Sequence, residues 1–293
     1  MGFRKEQYRK FTFYLMLKLK EITCKNALVK SRISGVDYCL NPYTGCEHNC
    51  AYCYAIFMKR FTDHSEEWGK FVDVKVNFLE RLEKEIRKAK SYGSKGRPGT
   101  VMLSSVTDAY QPLEEKYKLT RGALEILSQY NFPVHIQTKS DLVLRDIDLL
   151  KKLKEPEVGF TITCLDPEIQ SKFEPGASST EKRFEALKKL SREGISTFIF
   201  FGPILPYFSD TEKSISSVFH KAIEAGVKCI YIDKMNYTPS IWSRLNKFLS
   251  LNFPELLSHY QSTYYSNGSY AEKLGAKIRK LYKDSPFELN IVF

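Results

Sequence analysis

Three cysteines, Cys46, Cys50 and Cys53, stand at the spacing C-x3-C-x2-C in the run Asn41-Pro42-Tyr43-Thr44-Gly45-Cys46-Glu47-His48-Asn49-Cys50-Ala51-Tyr52-Cys53-Tyr54. Thiolates are the usual protein ligands of iron–sulfur clusters. Three of them on one short loop can hold three irons of a [4Fe–4S] cubane and leave the fourth iron open to a substrate or cofactor. A blander chemistry uses the same residues: a structural zinc ion held by the three thiolates and a histidine, with His64 as the candidate fourth ligand. Zinc ribbons and fingers pair two ligand-bearing knuckles, and the second knuckle is missing here. His48 lies inside the ligand loop and can hardly wrap back on it. Cysteines that are merely buried are a third reading, and the Asn-Pro-Tyr-Thr-Gly turn and the tight spacing argue against it.

The surrounding chain bounds what such a loop can serve. Its 293 residues suffice for one α/β barrel of about 200–250 residues with additions, or for two domains. No apolar run approaches the roughly 18 residues of a membrane span. The best, Phe11 to Leu19, sits among Arg4, Lys5, Arg9, Lys10 and Lys18 and lacks a small-residue cleavage site, so it does not read as a signal peptide. Met1–Lys10 reads as a basic, solvated terminus. Seven cysteines, three of them clustered, suit reduced thiols in a cytoplasmic protein better than a disulfide framework. The net charge of +11 favours a polyanionic partner, although Lys84, Lys88, Lys188 and Lys189 belong to amphipathic helices whose charged faces are simply solvated.

The elements that must position the loop follow from periodicity. Tyr38–Leu40 reads as a strand feeding the cysteines, with a helix over Cys53–Phe61 beyond them. Alternation over Trp68–Val76 predicts an extended segment. A helix starts at Asn77, where Asn77 and Glu80 match a capping box and Phe78, Leu82 and Ile86 share a face. It ends in the turn-rich Ser91–Gly99. Thereafter strands and helices alternate. Strands are predicted over Thr100–Ser105, Pro133–Thr138, Val158–Thr163, Thr197–Phe201 and Lys228–Ile232. Helices are predicted over Arg121–Tyr130, Ile147–Leu153, Thr180–Arg192 (opened by Ser178) and the segment capped by Asp210. That pattern argues parallel βαβ units, with six strands once Tyr38–Leu40 is counted. Strands stop at Thr238, and Ile241–Leu251, Pro254–Tyr260 and Tyr270–Tyr282 read as helices.

The cysteine spacing, with Tyr52 directly before the third cysteine, resembles the signature of the radical S-adenosylmethionine (SAM) superfamily. Asp37-Tyr38-Cys39-Leu40-Asn41-Pro42-Tyr43-Thr44-Gly45-Cys46 and Cys50-Ala51-Tyr52-Cys53-Tyr54-Ala55 look like that superfamily's spore photoproduct lyase-like branch. So do Thr107–Pro112 with Glu114, Thr138-Lys139-Ser140, Glu174-Pro175 and Arg183. The resemblance covers roughly Ser34 to Tyr237. It implies an α/β fold, a partial (β/α)6 barrel with extra C-terminal helices, divided as an N-terminal extension 1–33, a core 34–237 and a helical C-terminal extension 238–293. Periodicity alone would equally allow a doubly wound open sheet.

The resemblance further implies a [4Fe–4S] cluster on Cys46, Cys50 and Cys53, with SAM chelating the open iron. One-electron reduction, from a donor such as a ferredoxin or flavodoxin, cleaves SAM to methionine and a 5′-deoxyadenosyl radical. Tyr52 would pack near the adenine, and Lys139, Thr161 and the Ser104–Asp108 segment (Ser105 and Asp108 in particular) would touch SAM. The strand-end rule of parallel barrels points to the same places. Lys139 directly follows an apolar strand, where its ammonium can meet the SAM carboxylate. Thr161 and Thr163 share a strand face and can bond the ribose hydroxyls, although threonine is also simply a good strand former. The photoproduct lyase itself acts on DNA, which suits the charge; the substrate is left open between DNA repair and modification of RNA, a peptide or a small molecule. Tyr52 and Tyr54 match its relay tyrosines. Its hydrogen-returning thiol is not matched: Ser105 stands there, and a hydroxyl is a poor hydrogen-atom donor because O–H is much stronger than S–H. Either Cys164, at a later strand end, is the substitute thiol, with Tyr54 beside it in the catalytic assignment, or the radical chemistry here is different; Cys164 reads equally as a small buried residue, since free cysteine is among the most buried types. The competing reading is a zinc-stabilised, basic nucleic-acid-binding protein without radical chemistry.

Replacing Cys46, Cys50 or Cys53 singly by Ala is expected to abolish SAM cleavage and the broad absorption at about 400 nm that thiolate-ligated clusters give. Turnover retained by any one variant, followed as 5′-deoxyadenosine under dithionite, contradicts the cluster assignment.

Overall fold

A computed structural model describes residues 17–89, 98–266, 268–283 and 285–293. The Met1–Lys10 arm, residues 11–16 of the apolar run and residues 91–97 of the turn-rich loop lie outside them. The strands in chain order are β1 (Lys18–Ile22), β2 (Leu28–Lys30), β3 (Tyr38–Leu40), β4 (Tyr43–Gly45), β5 (Phe71–Lys75), β6 (Val101–Leu103), β7 (Val134–Thr138), β8 (Glu157–Ile162), β9 (Ser196–Ile204), β10 (Cys229–Lys234) and β11 (Glu288–Ile291).

The six expected strands, β3 and β6 to β10, lie side by side in chain order and pair in parallel. Parallel neighbours need crossover connections. Helices Phe78–Ala89, Leu119–Gln129, Ile147–Leu150, Thr180–Arg192 and Glu212–Glu224 lie in those crossovers. The result is the α/β partial barrel that the cysteine signature implies, with Pro239–Asn252, Leu257–Tyr264 and Ser269–Tyr282 as the C-terminal helices.

Two additions flank the six strands. Antiparallel β2 extends the sheet beyond β3, and β11 pairs in parallel with β10 at the other end. Strands therefore do not stop at Thr238. At four residues β11 is too short to show a period, and the open edge of β10 recruits it. A second sheet, in the order β1-β5-β4, carries the extended segment expected over Trp68–Val76. As its central strand β5 is covered on both faces, so Phe71, Val72, Asp73 and Val74 are all buried.

Three caps differ from expectation. Asn77 does not close a capping box; its amide brackets the Cys24 backbone, accepting from the N–H and donating to the carbonyl. Ser179 rather than Ser178 caps the Thr180–Arg192 helix, because the Ser178 hydroxyl is taken by Asp141. Thr211 rather than Asp210 caps the Glu212–Glu224 helix, since Asp210 accepts from the Tyr207 N–H and the Tyr270 hydroxyl. Serine and aspartate satisfy distant donors as readily as local ones, and the sequence does not distinguish these uses.

Gly159 in β8 sits in register with Phe198 in β9, and a Cβ there would lie 2.3 Å from the Phe198 ring. That ring is buried and sandwiched by His135 and Tyr231, so it has nowhere to move. Gly159→Ala is expected to lower unfolding stability by about 1–3 kcal/mol through overpacking. A urea midpoint indistinguishable from wild type would show that the ring yields.

Candidate active site

The cysteine loop leaves β4 at Gly45, whose φ of +91° favours glycine and whose Cβ would stand 2.3 Å from the Phe71 carbonyl oxygen. From there the loop is gripped on three sides. From the loop after β6, Thr107 Oγ1 donates to the Gly45 carbonyl (2.6 Å), Gln111 Oε1 accepts from the Glu47 N–H (3.0 Å) and Glu47 Oε1 accepts from the Leu113 N–H (2.5 Å). From the segment after β8, the Phe173 carbonyl accepts from the Ala51 N–H and the Gly176 N–H donates to the His48 carbonyl. From the C-terminal helix Pro239–Asn252, Arg244 donates to Asn49 Oδ1 (2.6 Å) and to the Trp68 carbonyl (2.9 Å). Trp68 Nε1–H in turn donates to Cys53 Sγ at 3.2 Å.

The strand ends converge on this loop. Glu174 and Arg183 form an ion pair with both side chains fully buried. Glu174 also accepts from the Tyr52 hydroxyl, Thr163 Oγ1 (3.2 Å) and Gln170 Nε2 (3.2 Å). Arg183 donates to the Thr161 carbonyl (2.8 Å) and the Ser178 carbonyl (2.9 Å). Removing one partner of such a pair strands a buried charge and typically costs about 3–5 kcal/mol. Burial pushes the Glu174 carboxyl up, but Arg183 and Lys139 outweigh it and hold it below the usual carboxylate range. Lys139 lies 5.9 Å from the Tyr52 ring centroid. Burial alone would lower its pKa, yet Cys50, Glu174 and Asp108 raise it, so the ammonium stays charged.

Asp108 has a different placement from the SAM contact expected of it. Its carboxylate accepts from the Tyr110 N–H (2.9 Å), Thr138 Oγ1 (2.6 Å) and the Lys139 N–H (2.9 Å), and His48 Nδ1 lies 3.3 Å away. Burial would raise its pKa, but His48 and Lys139 hold it well below the usual range. With its oxygens so occupied, it fixes the backbone from which Lys139 projects. Thr163 is similarly committed to Glu174, whereas Thr161 Oγ1 accepts from Gln137 (3.1 Å) and keeps its own proton to donate.

Tyr54 and Ser105 come together: the exposed Tyr54 donates its hydroxyl to the Ser105 carbonyl, and Asn41 holds the Ser105 and Val106 N–H groups. Cys164 is buried in one apolar cluster with Cys50, Ala51 and Tyr52 of the cysteine loop and with Phe173, Leu205 and Tyr260, and it donates weakly to the Asp166 carbonyl. Burial, with Glu174 adding to it, pushes its thiol up to about 12, so it keeps its proton. The zinc reading loses its fourth ligand, because His64 is bound at both ring nitrogens, to Glu66 and Asp73, and stacks on Phe71. Among the described residues no three His, Cys, Asp or Glu side chains are grouped to hold one ion. A cubane instead needs its thiolates apart, one to each iron.

Three residues of this site carried no assigned role in the sequence: Arg244, Trp68 and Glu47. Arg244 lies 195 residues from Asn49, and no local pattern announces that contact. Glu174 and Arg183 stood out only as motif matches.

The residues fit a cluster on their own chemistry. All three thiols are free, and burial pushes that of Cys50 up to about 12 and that of Cys46 well above its ordinary value. Thiolates in so dry a place require a metal centre to hold the charge. The Lys139 ammonium lies close enough to lower the Cys50 thiol, and His48 Nε2 and Ser104 Oγ are buried there without a hydrogen-bond partner among the described residues.

Comparison with known proteins agrees. The sequence profile of the radical SAM superfamily matches residues 40–216. An uncharacterised protein of Methanocaldococcus jannaschii is 35% identical over 239 residues, covering 82% of this chain and 85% of its own. A radical SAM Nα-GlyT isomerase of Pseudomonas phage M6 is 23% identical, covering 86% of this chain and 52% of its own. Spore photoproduct lyase, solved with a dinucleoside spore photoproduct, superposes with a TM-score of 0.71 at 15% identity, over 93% of this chain and 81% of that one, and so shares the fold.

Glu47 offers a test of the grip on the loop. Burial raises its carboxyl to about 7, against the opposing Leu113 N–H. Because the folded pKa lies above the ordinary value, the folded state keeps a proton between about pH 4.5 and 7 that the unfolded chain has released. The group's contribution to stability is thus full below that window and lost as pH rises through it. Glu47→Gln keeps the acceptor and cannot ionise. Its stability relative to wild type is expected to rise by about 1–3 kcal/mol between about pH 5 and pH 8 in urea titrations. A pH-independent difference would show that Glu47 does not titrate in the fold.

Proposed function

Because the chain belongs to the radical SAM superfamily, we propose that Cys46, Cys50 and Cys53 hold a [4Fe–4S] cluster at which SAM is reductively cleaved, and that this enzyme acts on nucleic acid. The observation that carries the reading is the Lys139 ammonium, set beside Cys50 and over the Tyr52 ring at the mouth of the parallel strands. A cluster held by Cys46, Cys50 and Cys53 would supply the electron for reductive cleavage of the SAM C5′–S bond to methionine and a 5′-deoxyadenosyl radical.

The chain's own residues do the rest. Lys139 binds the SAM carboxylate by a charge-assisted contact. The Thr161 hydroxyl donates to the ribose, while Thr163 acts indirectly by seating Glu174. Tyr52, oriented by Glu174, presents its ring to the adenine. Asp108 and Ser105 shape the loop after β6 around the cofactor. Residues 34–237 form the catalytic core, with 1–33 and 238–293 as extensions, and the free thiols suit a cytoplasmic setting with a ferredoxin or flavodoxin as reductant. Among the described residues no helix is long and apolar enough to cross a membrane.

Several features support a nucleic-acid substrate. The net charge is +11. Tyr54, Phe57 and Phe61 are exposed beyond the third cysteine, and Arg60 stacks over the Phe57 and Phe61 rings. Aromatic faces alternating with cations bind bases and phosphates without requiring a particular sequence. Ser105 in place of a thiol argues for modification of a base rather than hydrogen return to a repaired one. Cys164, buried and protonated, takes no part in hydrogen return in this reading.

Lys139→Ala is expected to weaken SAM binding by about 10- to 100-fold while iron content stays at the wild-type level. Calorimetry on the reconstituted variant checks this, and unchanged affinity removes Lys139 from the site. For the substrate, anaerobic binding to a single-stranded DNA oligonucleotide is expected to weaken steeply with added salt. Absence of salt-dependent binding to DNA and to RNA contradicts the nucleic-acid assignment.

A further inference from the structure

A groove of about 630 Å³ runs along the outside of the cysteine loop. Its floor is the loop itself, at Asn49 and Ala51, together with Trp68. Its walls are the Tyr54–Phe61 segment, through Ile56 and Lys59, and the helix Pro239–Asn252, through Arg244, Lys247 and Leu251. None of the strand-end residues Lys139, Thr161, Thr163 or Ser105 lines it, so it is a different opening from the one that leads to them.

Its charge is lopsided. Lys59, Lys70, Lys172, Arg244 and Lys247 border it, against the single carboxylate of Glu67. Glu67 pairs with Lys247 (3.0 Å) and Lys70 (3.6 Å), and Glu168 at the edge pairs with Lys172 (3.0 Å), which leaves an excess of cations. Exposed Leu251 supplies an apolar rim. A surface of this kind steers and orients an acidic macromolecule.

We propose that this groove docks the reductant, an acidic one-electron carrier protein, and that Trp68 and the Asn49–Ala51 backbone are the short route from it to the cluster. The inference rests on the reading that Cys46, Cys50 and Cys53 carry a cluster that must be reduced. Trp68 is what favours a carrier over a nucleic acid here. Its indole N–H touches Cys53 Sγ (3.2 Å), its carbonyl is held by Arg244, and the residue borders the groove with its side chain buried beneath it, so one residue separates the groove from a cluster ligand. The aromatic and cationic residues suited to bases, Tyr54, Phe57, Arg60 and Phe61, are not among the lining residues. The transfer moves one electron: the carrier is oxidised, the cluster is reduced, and no bond forms or breaks.

The test uses the full reconstituted chain and a purified flavodoxin as probe, with a variant carrying Lys70→Gln, Lys172→Gln and Lys247→Gln, which leaves Arg244 and its grip on the loop intact. Flavodoxin affinity, read by fluorescence anisotropy at low salt, is expected to fall about tenfold or more in the variant, and the salt dependence to flatten. SAM cleavage driven by reduced flavodoxin should fall with it, while cleavage driven by dithionite stays at the wild-type rate. Unchanged flavodoxin affinity overturns the proposal. So does a variant that keeps flavodoxin affinity and loses binding to a single-stranded DNA oligonucleotide, which would make the groove a nucleic-acid surface. Failure of the wild-type protein to cleave SAM with dithionite would instead count against the proposed function, and the affinity measurement still judges the groove.

Discussion

The buried pair of Glu174 and Arg183 is the interaction on which the rest of the site depends. Each charge is out of water, so each must be satisfied by the chain, and the donors and acceptors that do so come from different elements. Tyr52 comes from the cysteine loop, Thr163 from the end of β8, Gln170 from the Pro167–Phe173 helix, and the Thr161 and Ser178 carbonyls from β8 and the loop beyond it. Satisfying one ion pair therefore sets the position of the cysteine loop relative to the barrel. A buried pair is weak evidence of stability, because desolvation offsets most of the attraction. Here its use is registry.

A second consequence is electrostatic. Three thiols destined to be thiolates lie among Lys139 and Arg183 on the cationic side and Glu174 and Asp108 on the anionic side. The carboxylates are saturated by hydrogen bonds, whereas the Lys139 ammonium keeps its charge beside Cys50. The Lys139 side chain, with no ion pair shorter than 4 Å among the described residues, suits an anionic group arriving with a cofactor. Asp108 illustrates how a residue can stand in the right motif and act at one remove: it bonds the Lys139 backbone and leaves the side chain to make contact.

Much of this was legible in the sequence. Six strands and the cysteine loop follow from apolar periodicity and ligand spacing, both of which are local. Lys139 was found because it directly follows a strand whose end faces the site. What was not legible is long-range or degenerate. Arg244 closes on Asn49 from a helix in the C-terminal extension. Asn77, Ser178 and Asp210 look like caps, yet their side chains answer distant backbone and hydroxyl groups. The four residues of β11 are too few to show a period, and β1 turns mostly exposed side chains outward and shows no alternation. Cys164 could be named as a thiol at a strand end, but only packing reveals that it is buried with Cys50, Ala51 and Tyr52 as well as with Phe173, Leu205 and Tyr260.

The central claim is that three thiolates hold a cluster whose fourth iron is open to SAM. Electron paramagnetic resonance of the reconstituted, dithionite-reduced protein tests it most directly, recorded with and without SAM. The account predicts a reduced [4Fe–4S] signal whose g values shift when SAM is added, and whose shift is lost in Lys139→Ala at the same SAM concentration. A cluster signal identical with and without SAM, or a protein that takes up one zinc ion and shows no such signal, would contradict it.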